Sequence, residues 1–312
     1  MGRRRGWRAA VVAVVGVLAL NGCAQSGGTE APGASGATRS GKPTVLATFT
    51  VLADMARVVG GEHVAVESVT RPGAEIHDYE PTPTDVGKAS SAQLVLDNGL
   101  GLEGWLGQFV TSANVPHTVV SEGVPTVDIE DQPGTPNPHA WMSPTNGQRY
   151  VDNIVTALSD LDPEHAARFR ENGDRYKEQL EEVRTGLRER LDRVPANQRA
   201  LLTCEGAFSY FARDTGLIEH YLWPVNSEQE AGPQELRSAI DTVRHNHVPA
   251  VFCESTVSDR QMQQVVEATD ARFGGTLYVD SLSEADGPVP TYLELMCHDA
   301  DTIARGLVRE QR

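Results

Sequence analysis

The chain has no apolar run long enough to cross a membrane. The stretch from Ala9 to Leu20 is 12 residues, against the roughly 20 that a spanning helix needs. Positive charge is scarce as well: 27 lysines and arginines face 43 acidic residues, for a formal net charge of −16. The first 22 residues hold four arginines and no acid, so without them 23 basic residues face 43 acidic ones and the charge is −20. A surface of that sign argues against nucleic-acid binding and agrees mildly with collecting cations. Catalytic signatures are missing, since neither a His-Glu-x-x-His run nor a Gly-x-Ser-x-Gly elbow occurs. Cysteine is sparse, four in all, and the spacing is wrong for a zinc knuckle. No internal repeat divides the chain into homologous halves.

What is present begins with an export signal. Arg3, Arg4, Arg5 and Arg8 precede the short apolar run, the pattern of a signal peptide over residues 1–22. It ends at Leu20-Asn21-Gly22-Cys23, which resembles the bacterial lipobox, where the cysteine is lipidated and becomes the new N-terminus. From Ala24 to Lys42 the chain is mostly Gly, Ser, Ala and Thr. That composition cannot offset its ordering entropy, so residues 23–42 read as a flexible tether. With Cys23 lipidated, Cys204, Cys253 and Cys297 remain, which in an oxidising compartment permits one disulfide and one free thiol. Cys204 and Cys253 both close apolar, strand-like runs. A bridge between neighbouring strands and a pair of inert buried thiols fit equally well.

The remaining residues suffice for two modest lobes. Over 43–162 short apolar runs alternate with helical patterns: strands at 44–49, 63–69, 94–96 and 118–120, helices at 52–59, from Pro83, and at 102–109. Alternation of this kind implies a parallel sheet flanked by helices. A charged segment then runs from Glu164 to about Val194, with Phe169, Tyr176, Leu180, Val183, Leu187 and Leu191 forming one stripe. That spacing predicts a single rigid helix of roughly 30 residues, or about 45 Å, and residues 163–195 read as a connector. Over 196–312 the alternation resumes, with strands at 200–203, 219–223, 250–253 and 276–279 and helices at 207–215, 233–245, 259–268 and 290–309. The fold class expected is α/β, two lobes joined by one long helix.

Ligands of open parallel sheets settle at strand ends and in the loops that follow them. Four residues occupy such places: His77 in a loop stiffened by Pro81 and Pro83, His139 behind Pro138, Glu205 after strand 200–204, and Asp280 after strand 276–279. Two histidines on rigid loops and two carboxylates suggest a preorganised metal site. Asp78, Glu80 and Asn98 are candidates to hold the imidazoles, Trp141 and Tyr79 to shield them, and Glu254 to pair with Arg260. The other seven histidines carry no assigned role.

The motifs His77-x-Tyr-Glu-Pro-Thr-Pro-x-Asp85, Asn98-Gly-Leu-x-Leu-Glu103, Pro138-His-Ala-Trp141, Glu205-Gly-Ala-Phe-x-Tyr-Phe211, Phe252-Cys-Glu-Ser-x-Val-x-Asp-Arg260 and Asp280-Ser-Leu-x-Glu284 together resemble one family. It is the zinc/manganese solute-binding lipoproteins of metal-uptake ABC transporters, solute-binding family 9, and the resemblance runs nearly the length of the chain. It implies two α/β lobes with the metal between them, and His77, His139, Glu205 and Asp280 as the ligands. It also implies an extracytoplasmic, membrane-anchored monomer that is not an enzyme and that serves a permease with its ATPase. Zinc-type relatives usually have histidine at the third ligand and a His-rich loop. Here the third ligand is Glu205, and Val124 to Pro138 holds Asp128, Glu130 and Asp131 but no histidine. Carboxylate oxygen favours Mn2+ first and Fe2+ second over Zn2+. A zinc receptor is the nearest alternative; an extracellular metalloenzyme and a surface adhesin are remote ones.

Overall fold

Short, β-rich runs separated by helices build a parallel sheet from residues 44–119. The computed structural model describes residues 41–130, 132–225 and 231–308. The signal peptide, Cys23, nearly all of the tether and Asp131 lie outside the described residues. In chain order come β1 (Thr44–Ala47), α1 (Thr50–Gly60), β2 (Ala65–Ser68), α2 (Pro83–Ser91), β3 (Leu94–Asp97), α3 (Leu106–Ala113) and β4 (His117–Val119). The strand order is β2-β1-β3-β4, all parallel, with Val45 opposite both Val66 and Leu94, and Val95 opposite His117. β3 is buried along its whole length, whereas β2 alternates as an edge strand does. The chain leaves β1 in one direction and returns on its other side at β3. Such a reversal opens a crevice beyond the strand ends.

The loop leading from β2 to α2 is closed firmly. Thr82 accepts from the Asp85 amide, the Asp85 carboxylate reaches back to the Thr82 amide, and Pro83 occupies the first turn. Donors left over at a helix start are satisfied by this reciprocal cap, and proline costs nothing there.

Two helices follow, α4 (Pro144–Leu161) and α5 (Ala166–Leu191), joined through a 3-10 turn at Pro163–His165. α4 is not among the elements expected from the sequence, although Ser143 caps it and Tyr150, Val151, Ile154 and Leu158 form its buried face. The pair is antiparallel: Lys177 meets Asp152 at 2.7 Å and Gln148 meets Glu181 at 3.3 Å. α5 is slightly shorter than the charged segment predicts because its first residues belong to the turn. It buries Phe169, Tyr176, Leu180, Leu187 and Leu191, each worth about 1.5–3 kcal/mol of transfer free energy. Val183, on the same stripe, is half-buried. α5 packs against α1 on one side and against the last helix on the other.

The C-terminal half contains β5 (Ala200–Glu205), α6 (Ser209–Thr215), β6 (Ile218–Trp223), α7 (Pro233–Asn246), β7 (Ala250–Glu254), α8 (Arg260–Ala268), β8 (Arg272–Leu277) and α9 (Tyr292–Leu307). β5 pairs with β6 and β7 with β8, both parallel. β8 begins four residues before the expected strand and ends at Leu277, two short of it. Gly274 and Gly275 lie within it, and close packing requires them. A Cβ at Gly274 would lie 2.4 Å from the Phe252 ring, and Gly275 takes φ 136° where the register shifts beside Val251 and Phe252. A buried apolar cluster runs from β1 and α1 through α4 and α5 to β5, β7 and α9. A smaller one, including Leu46, Val95 and Phe109, sits beneath α2 and α3.

β5 and β7 lie side by side, and the Cys204–Cys253 disulfide joins them across a Cα separation of 4.9 Å. Of the two arrangements the sequence allowed, the bridge is the one formed, and Cys297 is a free, exposed thiol. The bridge closes a 49-residue separation, so Cys253→Ser should cost about 2–4 kcal/mol. Denaturant unfolding with and without reductant checks this: wild type should weaken on reduction and the variant should not respond.

Candidate metal centre

Each of the four residues singled out in sequence is held by a different element, and the fold brings their side chains together. His77 sits in the β2–α2 loop, where Glu75 accepts from its backbone amide at 3.0 Å. His139 precedes a 3-10 turn at Ala140–Met142. Glu205 is the last residue of β5, and Asp280 lies three residues beyond the end of β8. Their ligating atoms all fall within 4.8 Å of one another. His77 Nε2 is 3.1 Å from His139 Nε2, 3.9 Å from Glu205 Oε1 and 3.8 Å from Asp280 Oδ1. The four side chains are between 0 and 9% exposed, which leaves little water to screen them.

The residue that orients His139 is Asn137, which the sequence reading passed over although it opens the same motif. Its Oδ1 accepts from the His139 amide and faces His139 Nδ1, both at 3.0 Å. Its Nδ2 donates to the Gly206 carbonyl at 2.7 Å. The amide is therefore turned with oxygen toward the imidazole, Nδ1 carries the proton, and Nε2 keeps a lone pair aimed at the cluster. Gly206 has to be glycine, because a Cβ there would lie 2.9 Å from the Tyr221 ring.

The proposed supports sort differently from expectation. Asn98 touches neither imidazole; its Nδ2 donates to the Pro138 carbonyl at 3.0 Å, and so it holds the loop rather than the ring. Asp78 and Glu80 are exposed rather than turned into the cluster; from the same loop it is Glu75 that comes within 4.0 Å of His77 Nε2. Trp141 does lie behind His139, ring centroids 5.1 Å apart, and donates to the Val279 carbonyl at 3.1 Å. Tyr79 instead bonds Asp85 at 2.9 Å and packs on Trp105, so it braces the loop against α2. Glu254 does not pair with Arg260, which is exposed on α8; its carboxyl accepts from the Glu205 amide at 3.2 Å.

Two more pins lace the loops. Gly73 donates to Ser281 Oγ at 2.7 Å, tying the His77 loop to the Asp280 loop, and Leu282 donates to Thr50 Oγ1 at 2.9 Å, tying the Asp280 loop to α1. Buried Glu103 accepts from Thr48 at 2.7 Å and from the Asn98 amide at 2.7 Å, which fixes the turn after β3.

The charge pattern inside the cluster is that of a cation site. Burial pushes the His139 imidazole below its ordinary value, against the pull of Asp280, so the ring is neutral. Burial alone would raise Asp280, but the neighbouring His139 and His77 outweigh it and hold the carboxyl low. Asp280 Oδ1 lies 3.4 Å from His139 Nε2 and makes no hydrogen bond, because with the ring proton on Nδ1 neither atom has one to donate. The two Nε2 atoms are close enough to share one proton or one cation. A second convergent group among the described residues, Cys204, Cys253 and Glu254, has its sulfurs committed to the disulfide.

A sequence profile described as zinc-uptake complex component A, periplasmic (ZnuA) matches residues 45–306. The chain belongs to this family. Its members are substrate-binding proteins of transport systems. The chain is 51% identical over 265 residues to the iron-binding protein YfeA of Yersinia pestis, covering 84% of this chain and 85% of the relative. It is 32% identical over 289 residues to the manganese ABC transporter substrate-binding lipoprotein PsaA of Streptococcus pneumoniae, covering 89% and 94%. Among solved structures, the Mn-bound periplasmic metal-binding protein from Candidatus Liberibacter asiaticus superposes with a TM-score of 0.80. That protein is 36% identical, and the match covers 86% of this chain and all of that one. Parallel sheets flanked by helices, with one long helix, are thus the family's fold. Among the described residues no helix is long and apolar enough to cross a membrane.

Two buried carboxyls near the cluster set a pH dependence. Burial raises Glu103 to about 7 and Glu254 to about 8, above the 4.5 of a free glutamate. Between pH 6.5 and 8.5 the folded chain holds protons that the unfolded chain has lost, so stability falls as pH rises. His139, depressed, is neutral in both states over most of that window. The thermal midpoint of the metal-free protein should be higher at pH 6.5 than at pH 8.5. The opposite slope would mean that these carboxyls are ionised in the fold.

Proposed function

We propose that the protein is an extracytoplasmic receptor that captures manganese, or ferrous iron, and delivers it to an ABC importer. The observation that carries this reading is the convergence of two imidazole nitrogens and two carboxylates within 4.8 Å in a nearly closed site. His77, His139, Glu205 and Asp280 are the ligands. Two nitrogens 3.1 Å apart suit one ion bound at about 2.1 Å from each. The family supports the same role, and its members named above bind iron or manganese.

Metal choice follows from the third ligand. A carboxylate at Glu205 makes the donor set harder and can become bidentate, which suits manganese or ferrous iron. Zinc binds most nitrogen and oxygen sites more tightly than manganese does, so selectivity must come from geometry and from the permease. A zinc receptor of the same family is the second reading, because the matched profile is named for zinc uptake.

The organisation that goes with this role is a leader over 1–22, a lipid on Cys23 and a tether to residue 42. A metal-binding lobe follows over 43–162, a connecting helix over 163–195 and a second lobe over 196–312. The lipid holds a monomeric body at the outer face of the membrane, where it docks on a permease whose paired ATPase drives release. Four protein ligands fill most of a metal's coordination shell. An enzyme needs an open position for water, so this reading includes no catalysis. An adhesin would keep its partner after the ligands were removed, whereas a receptor loses uptake.

Competitive loading of the protein with manganese, ferrous iron and zinc at controlled free concentrations tests the proposal. Wild type should retain one equivalent of manganese or iron, and Glu205→His should shift retention to zinc. Tight zinc alone in both would establish the second reading. The absence of stoichiometric metal in either would end the four-ligand site.

A further inference from the structure

We propose that Glu219 is a positioning residue for metal capture: through Ser209 and Asn137, its carboxylate sets which nitrogen of His139 carries the proton. This inference rests on the reading that His139 binds the ion. Glu219 lies on β6, touches none of the four ligands through any contact described above, and has no counterpart in the motifs that identified the site.

The relay is a continuous run of hydrogen bonds. The Phe208 amide donates to Glu219 Oε1 at 2.7 Å, and the Ser209 hydroxyl donates to Glu219 Oε2. Burial raises the Glu219 carboxyl above its ordinary value, and these two donors oppose the rise by favouring the ionised form. Asn137 Nδ2 donates to Ser209 Oγ at 3.2 Å and to the Gly206 carbonyl at 2.7 Å. Asn137 Oδ1 accepts from His139 at both its amide and Nδ1, each at 3.0 Å. Two backbone groups, the His139 amide and the Gly206 carbonyl, already favour one orientation of the Asn137 amide, and the carboxylate locks it through Ser209. An ionised carboxylate only accepts, so the single hydroxyl proton of Ser209 points at Glu219. Toward Asn137 the hydroxyl can then only accept, as the Gly206 carbonyl also does. Both neighbours at that end of the Asn137 amide are acceptors, so that end is NH2 and the other end is oxygen. The oxygen demands a proton on His139 Nδ1, and Nε2 is left as the lone pair facing His77 and Asp280.

A partner on the far nitrogen of a ligating imidazole fixes its tautomer and raises its basicity. Here the partner is a neutral amide, and the charge stands two hydrogen bonds further back. Asn137, Ser209 and Glu219 all line a surface cleft of about 430 Å³, so the relay reaches from solvent to the ligand.

The isosteric variant Glu219→Gln places an NH2 group where a carboxylate oxygen stood. The Phe208 amide claims the remaining oxygen, so the new NH2 faces Ser209. Two NH2 groups then compete for the Ser209 oxygen, and its proton has lost the carboxylate that accepted it. Adding Ser209→Ala removes the hydroxyl and with it the conflict.

Two readouts test this. Nitrogen-15 NMR of the metal-free protein should show the His139 Nδ1–H tautomer in wild type and a mixture in Glu219→Gln. Mn2+ affinity, measured by chelator competition, should fall about tenfold in Glu219→Gln. Ser209→Ala should lose less, and the double variant should return to the Ser209→Ala level in both readouts. Structural damage at β6 predicts instead that the two losses add. Additive losses would overturn the proposal, as would a Glu219→Gln protein with wild-type tautomer and affinity. If wild type bound no manganese, the receptor reading would fail, and the nitrogen shifts would still decide the relay.

Discussion

Two carboxylates and two imidazoles crowded into a dry space have given up most of their water, and without a cation the two carboxylates repel one another. Like charges in a poorly screened site are costly, and side chains free to rotate would turn away. Much of the surrounding architecture reads as a response to that constraint. The Thr82–Asp85 cap ends the His77 loop, Asn137 turns the His139 ring, Glu254 meets the amide of Glu205, and Thr256 bonds Asp280 Oδ2 at 3.3 Å. Several of these supports are themselves buried carboxyls. That is tolerable where burial keeps them protonated, as with Glu254 at about 8.

The four converging residues were legible only together: each alone is unremarkable, a histidine in a proline-stiffened loop or a carboxylate after an apolar strand, and the family motifs around them marked the set. Their supports were less so, because a hydrogen bond between Asn137 and Gly206 leaves no periodicity in the chain. Asp78 and Glu80, neighbours of His77 in sequence, do not hold its ring for that reason, and Asn98 holds the Pro138 carbonyl instead of a ring. Adjacency along a loop does not say which way the loop faces. α4 had readable signals, a serine cap and an apolar face, but the longer and more charged stripe of α5 drew attention past it. β8 was misplaced by Gly274 and Gly275, whose strand role exists only because Phe252 packs above them. The disulfide stayed open because its existence depends on β5 lying beside β7, a fact of tertiary order.

Rigidity is the common property of these features. α5 is pinned along one face by α4 and touches α1 and α9, so it belongs to both halves of the apolar cluster. A helix bound in that way resists bending as a hinge. The disulfide adds a covalent stay between β5 and β7, directly beneath the end that carries Glu205.

The lacing of the loops divides the four converging residues in an unexpected direction. Gly73 and Ser281 bind the His77 loop to the Asp280 loop, while Asn137 and Gly206 bind His139 to the end of β5 that bears Glu205. Each couple draws one member from either end of the chain, and each joins one ring to one acid. Trp141, donating to the Val279 carbonyl at 3.1 Å, stitches one couple to the other. The convergence is thus a woven one: no single strand end or loop can shift without drawing on its neighbours from the opposite end of the chain.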